Sequence, residues 1–212
     1  MDKVITISRQ YGSGGREIGQ KLAEAWNVPF YDNELISRAA KESGFAEATF
    51  EKAESRATNS LLYSIARGLT AFNGQETTFS NLSLDDRIYI AQANVIRKVA
   101  SEGPCVIVGR CADYILRKLD NLVNVFVWAD MPFRVERAIR IDNMSPDKIE
   151  EEIVKIDKRR GNYHNFHTGE KWGRAENYHL SIRSSMTGID GAVEVIKLFV
   201  DKASLRGAKQ GE

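Results

Sequence analysis

Lys3 to Ser8 reads as a first strand that leads into Gly12-Ser13-Gly14-Gly15, and a helical pattern begins at about Arg16, with Ile18, Leu22 and Trp26 spaced to share one face. Strand, glycine turn and helix in immediate succession leave few ways to fold. Glycines let the backbone take positive φ, so successive N–H groups converge into an anion-binding nest. The helix that follows directs its unpaired N-terminal N–H groups and its positive dipole end at the same point. The turn therefore predicts an α/β domain with an anion site at the carboxyl end of its first strand. Glycines in such a place also serve simply to turn a chain, and that alternative stands beside the first.

The remaining sequence keeps the same alternation. Cys105-Val106-Ile107-Val108 and residues 123–128 are continuous apolar runs, the pattern of parallel strands covered on both faces. Pro29-Phe30-Tyr31 reads as a short second strand, after which Asn33 caps a helix carrying Leu35, Ile36 and Ala39. Asp85 opens a helix running to about Glu102, its apolar face formed by Ile88, Ala91, Val95 and Val99. A last strand near 178–182 precedes a helix from about Asp190, with Val193, Ile196, Leu198, Phe199 and Val200 available for packing. Two stretches break the rhythm. Residues 44–86, longer than a simple connection, read as an inserted helical subdomain, and residues 157–177, rich in basic and aromatic side chains, read as a mobile lid. Residues 204–212 are polar and read as a frayed end.

Composition sets the limits on function. The 212 residues suit one domain, and 42% hydrophobic with 28% charged residues excludes a disordered chain, a fibre or a disulfide scaffold. Thirty basic against twenty-nine acidic residues give a formal charge of +1, so no gross field draws the chain to nucleic acid or a membrane surface. Phosphate binding then has to come from local arrangement. No signal-peptide pattern or long apolar span is present, and Cys105 and Cys111 read as buried thiols, which together predict a cytoplasmic protein. His164, His167 and His179 lack the acidic or thiol partners of a metal set and read as surface histidines of a polar flap.

The glycine turn departs from the usual phosphate loop. In GxxxxGK[ST] a lysine reaches the β/γ-phosphates and a hydroxyl meets Mg2+. Here Arg9 stands at the first glycine, Gly14 at the second, Gly15 at the lysine and Arg16 at the hydroxyl. Arg16 is a candidate for the missing cation and Arg9 a second one, with Ser13 or Ser8 left to offer a hydroxyl. Arginine is a good phosphate fork, though not the equivalent of a point-charged lysine.

Five stretches in order, ITISRQYGSGGREIG, PFYDNELISRAA, VIVGRCADYIL, VFVWADMPFRVERAIR and DKRRGNY, resemble the cytidylate kinase-like family, divergent relatives of the P-loop nucleoside-monophosphate kinases. The likeness runs from Val4 to about Val200. It implies a three-layer α/β/α fold with a five-stranded parallel sheet, a helical monophosphate-binding insert and a lid. It also implies ATP as donor with Mg2+, whose ligands the sequence does not identify. By the same resemblance Gly12, Ser13, Gly14 and Gly15, with Arg9 and Arg16, cradle the donor phosphates. Asp32 followed six residues later by Arg38 matches the start of the monophosphate-binding region. Gly109-Arg110 resembles the family's Gly-Arg-Asp element, with Cys111 in place of the aspartate and Asp113 three beyond Arg110. Asp157, Arg159 and Arg160 resemble the Arg/Asp-rich lid. Each arginine also has a plain reading, as a solvated helix position for Arg38, a helix-start surface residue for Arg110 and the exposed end of a basic helix for Arg159 and Arg160. Asp130, after the fourth strand, reads as a helix cap rather than a metal ligand. Tyr163, Phe166 and Trp172 either stack on a base or form the flap's own core.

The leading functional expectation is transfer of the γ-phosphoryl group of ATP to a small acceptor, a nucleoside monophosphate, with Arg16, Arg110, Arg159 and Arg160 supplying positive charge around the transfer. Two alternatives accompany it. One is a non-catalytic nucleotide-binding module with a degenerate loop; the other keeps the reaction with a non-nucleotide metabolite as acceptor. An apolar stripe within 61–72 reads either as subdomain core or as the contact of a homo-oligomer.

Overall fold

The computed structural model describes residues 2–32, 84–142 and 144–203. Arg38, the insert up to residue 83 and the 61–72 stripe therefore lie outside the described residues. In chain order the elements are β1 (Val4–Arg9), α1 (Gly15–Trp26), β2 (Phe30–Tyr31), α2 (Leu84–Ser101), β3 (Cys105–Val108), α3 (Ala112–Ile115), β4 (Leu122–Trp128), α4 (Met131–Asp142), α5 (Ile149–Thr168), β5 (Leu180–Arg183) and α6 (Ser184–Lys202). A 3-10 turn, Ala175–Asn177, leads into β5.

The five strands form one parallel sheet in the order β2-β3-β1-β4-β5. β1 lies at its centre, with Val4 opposite both Cys105 and Leu122. Successive side chains of a strand point to opposite faces, and here both faces are covered. Ile5, Ile7, Val106, Val108, Val123 and Val125 pack with α1 and α6. Val4, Cys105, Ile107 and Leu122 pack with α2 and α3 on the other side. That two-sided burial accounts for the apolar runs, which Thr6 of β1 and Asn124 of β4 interrupt as a buried pair, the Thr6 hydroxyl donating to Asn124 Oδ1 at 2.6 Å. The fold is α/β, helices flanking a five-stranded parallel sheet.

α1 shows how sequence pattern becomes attachment. Ile18 and Leu22 are fully buried against the sheet, each worth roughly 1.5–3 kcal/mol when removed from water. α6 starts at Ser184, earlier than the periodicity predicts, because Gly188 (φ 69, ψ 179) breaks it into two helical pieces. The second piece supplies Val193, Ile196 and Val200 to the core, whereas Leu198 is exposed. Residues 157–168, the first part of the stretch read as a lid, continue α5 without a break. No helix among the described residues is long and apolar enough to cross a membrane.

Candidate functional site

β1 ends at Arg9, and the chain turns through Gly12 (φ 75) and Gly14 (φ 79) into α1. Both glycines are required. A Cβ on Gly12 would stand 2.6 Å from the carbonyl oxygen of Arg134, and one on Gly14 would collide with the Ile189 side chain. The loop is held from three directions. Asp157 of α5 accepts the Tyr11 N–H at 2.7 Å, Arg134 of α4 donates from Nε to the Tyr11 carbonyl at 2.6 Å, and Ser184 of α6 donates to the Ser13 carbonyl at 2.6 Å. Asp157 and Arg134 are also paired with each other. Burial pushes the Asp157 carboxyl above its ordinary range, opposed by the Tyr11 N–H and by Arg134 and Arg160. Ser13 is wholly buried and gives its hydroxyl to the Gln10 carbonyl at 2.8 Å.

Two cavities open at the carboxyl ends of β1 and β3. One, about 300 Å³, lies over the glycine loop, lined by Gly12, Gly14, Gly15, Tyr11, Glu17 and Arg137 among others. The other, about 350 Å³, is lined by Asp32, Gly109, Arg110, Tyr163, His164 and Trp172 among others. Arg9, Arg16 and Arg160 line both. The first cavity carries four guanidinium groups against Glu17 and Asp142, and the second four against Asp32. A chain of nearly zero net charge thus concentrates cations at one place, as local phosphate binding requires.

Each arginine arrives from a different element. Arg9 continues β1, and Arg160 of α5 donates to its carbonyl oxygen at 3.2 Å. Arg16, in the first turn of α1, donates from Nε to Asp32 Oδ2 at 2.8 Å, beyond the end of β2. Arg110 follows β3 in a run of three left-handed residues, Gly109 (φ 82), Arg110 (φ 59) and Cys111 (φ 55). Non-glycine residues hold that conformation uncommonly; elsewhere in the described residues Asn27 (φ 51) and Lys148 (φ 56) do so, both at helix ends. Arg137, buried against the loop, pairs with Glu17 at 2.6 Å. Arg159 is exposed and is not among the residues lining either cavity.

His164 corrects the reading of the histidines as surface groups. It is buried, with Nε2 3.0 Å from Asp113 Oδ2 and Nδ1 3.3 Å from Thr168 Oγ1. The Thr168 hydroxyl also lies 2.7 Å from the His164 carbonyl, to which it donates. Both ring nitrogens are thereby engaged. Asp113 Oδ1 is buried with no hydrogen-bond partner among the described residues. Helical spacing was the available signal: 149, 153, 157, 160, 164 and 168 form one stripe along α5, and its polar members bind the loop, Arg9 and Asp113.

The aromatic residues pack on one another, and two of them also line the second cavity. Tyr163 donates to Gln92 at 2.9 Å and meets His167 edge-on, while Phe166 also packs on His167. Tyr163 and Trp172 both reach the second cavity, where Trp172 is braced edge-on against Phe126. The Asp130 carbonyl accepts the first helical N–H of α4, from Arg134 at 3.1 Å, while its carboxylate holds Arg183 and Ser185. Cys105 and Cys111 are buried and not joined in a disulfide, and burial pushes the Cys105 thiol up to about 11.

Comparison with solved structures places this arrangement in a known fold. An uncharacterized protein from Eubacterium ventriosum superposes with a TM-score of 0.69 at 27% identity, covering 95% of this chain and 99% of that one. Shikimate kinase from Bacteroides thetaiotaomicron shares the fold at 13% identity and a TM-score of 0.53, over 95% of this chain and 99% of its own. Shikimate kinase from Acinetobacter baumannii, solved with shikimate, does so at 12% identity and 0.52, over 97% of both chains. No curated protein matches the chain. The fold is that of the P-loop kinases, and a model of the cytidylate kinase-like family matches residues 4–186, so the chain belongs to that family.

Proposed function

We propose that the protein is a kinase that passes the γ-phosphoryl group of ATP from the glycine-loop cavity to a phosphate-bearing acceptor in the neighbouring cavity, a nucleoside monophosphate. The supporting observation is that two cavities of nucleotide-fragment size share Arg9, Arg16 and Arg160 along their boundary. Phosphoryl transfer asks little covalent chemistry of a protein; in-line positioning and positive charge on the equatorial oxygens carry it. The loop and the unpaired first-turn N–H groups of α1 hold the donor phosphates. Arg110, with Arg38 of the undescribed segment, orients the acceptor, and Trp172 offers a flat apolar face to its base.

The acceptor's chemistry follows from what lines its cavity. A hydroxyl acceptor needs a group to take its proton. Among the described residues, Asp32 is committed to Arg16 at 2.8 Å and His164 has both nitrogens engaged. A phosphate oxygen is already ionised near neutral pH and needs no base. This favours a monophosphate over a hydroxyl-bearing metabolite.

Mg2+ fits the described residues poorly as a protein-held ion. Arg16 replaces the usual hydroxyl, Ser13 is turned inward, Asp32 and Asp157 are each bound to arginine, and no group of three acidic, His or Cys residues suited to a metal occurs among the described residues. No step above depends on it. The same departures favour a second reading, a nucleotide-binding module without transfer. Single-turnover transfer from labelled ATP to a panel of nucleoside monophosphates and hydroxyl metabolites separates the readings. Labelled diphosphate product is expected; tight ATP binding with no transfer to any acceptor would establish the second reading instead.

A further inference from the structure

The loop's cation has changed ends. In the usual motif the strand end carries a glycine and the helix end a lysine that folds back over the phosphates. Here the strand end carries Arg9 and the helix end Gly15, and in the structure these two positions compete for one volume. A Cβ on Gly15 would stand 2.5 Å from Arg9 Cβ and 2.9 Å from its Cγ, so no side chain fits at 15 while Arg9 lies across it. A Cβ on Gly109, at the end of β3, would collide with Arg9 Nη1. The Arg9 side chain thus passes through a slot walled by two glycines, one at the start of α1 and one just past the end of β3. It lines both cavities and carries its guanidinium to 3.8 Å from Asp32. At 20% exposed it is far more enclosed than Arg16, which is 58% exposed and tied to Asp32 on the rim.

We infer that Arg9 supplies the polyphosphate-binding cation that the motif's lysine would otherwise supply, and that Gly15 and Gly109 are glycines because they admit its side chain. This rests on the donor phosphates lying in the glycine loop, as proposed above. Charge is conserved across the loop while its source moves from the first turn of α1 to the end of β1. A guanidinium in that slot serves two oxygens at once, whereas an ammonium serves as a point charge.

Reciprocal exchange tests it. Wild type, Arg9→Gly, Arg9→Met, Gly15→Lys and the double variant Arg9→Gly/Gly15→Lys are compared for binding of inorganic tripolyphosphate and of ATP by ligand-dependent melting. Arg9→Met keeps an apolar stem in the slot and removes only the charge. Both Arg9 variants should lose roughly ten- to a hundredfold in tripolyphosphate affinity, the range for a charged hydrogen bond. The double variant, with the slot emptied and a lysine at the motif's own position, should recover to within about tenfold of wild type. The deciding comparison is the double variant against Arg9→Gly, so it stands even where Gly15→Lys alone fails to fold. Arg9→Met binding like wild type, or a double variant no tighter than Arg9→Gly, overturns the inference. Wild type insensitive to both ligands overturns it together with the donor site. Arg9-dependent binding without transfer to any acceptor leaves the inference standing and overturns only the kinase reading.

Discussion

Removing the Asp157 carboxylate should show how much of the phosphate loop's shape depends on α5. That one group accepts the Tyr11 N–H at 2.7 Å and pairs with Arg134, whose side chain is only 6% exposed. Asp157→Ala leaves the Arg134 cation inside the protein with a hydrogen bond to the Tyr11 carbonyl but no carboxylate, and the Tyr11 amide without that acceptor. Breaking a buried pair from one side costs about 3–5 kcal/mol, and an orphaned buried donor about 1–3. The two losses share one carboxylate, and Asp157 is 15% exposed, so water recovers part of each. A combined loss of about 3–4 kcal/mol is expected, a fall in Tm of roughly 6–16 °C for a domain of this size.

A second substitution separates charge from positioning. The Asp157 carboxyl lies above its ordinary range because burial outweighs the Tyr11 N–H and its arginine neighbours. A pair held at that cost is often replaced by apolar residues without loss. Arg134→Met/Asp157→Leu should therefore regain about half of the stability lost in Asp157→Ala. It should not regain ATP binding, because the Tyr11 backbone then lacks both of the side chains that hold it. Urea unfolding and ATP-dependent melting measure the two quantities on the same samples. A loss below about 1 kcal/mol in Asp157→Ala, or a double variant that binds ATP like wild type, would refute the reasoning.

Other substitutions probe the site and the sheet. Gly12→Ala forces a side chain into φ 75 and 2.6 Å from the Arg134 carbonyl oxygen, so at least about 1–2 kcal/mol of stability and most ATP-dependent melting should be lost. Arg16→Ala should weaken transfer by roughly tenfold, whereas Lys21→Ala, an exposed partner of Asp190 further along α1, should change it by less than about twofold; equal effects would remove Arg16 from the site. His179 accepts the Asn124 N–H on Nδ1 at 3.1 Å, and burial holds its pKa below the ordinary imidazole value. A depressed histidine contributes stability that is complete above the unfolded value of about 6.5 and is lost as pH falls through the lower folded value. His179→Asn offers an acceptor that does not titrate, so its Tm should fall less than wild type's between about pH 7 and pH 5.

The sheet was legible because its strands are chemically simple. Cys105-Val106-Ile107-Val108 has no polar member to break the run, and β3 occupies those four residues. β1 and β4 match their expected spans to within a residue at each end. α1 and α2 were equally plain, since Ile18 and Leu22, and Ile88, Val95 and Val99, fall at helical spacing and are all buried. α6 was read short because its first turn holds Ser184, whose buried hydroxyl serves the Ser13 and Trp128 carbonyls rather than an apolar face.

The site was less legible, for a reason that α5 makes concrete. Periodicity is sought in apolar residues, but the inward stripe of this helix is apolar only at Ile149 and Ile153; further along it runs Asp157, Arg160, His164, Thr168. Those groups face inward because other elements bring them partners: Tyr11 and Arg134 to Asp157, the Arg9 carbonyl to Arg160, Asp113 to His164. Burying such groups is favourable only with the partners in place, so the stripe's meaning resides in β1, α3 and α4 rather than in α5 itself. The exchange of Arg9 and Gly15 is hidden in the same way. In the one-dimensional pattern it is two departures from a motif; only the 2.5 Å approach between the two positions turns them into a single substitution of one cation for another.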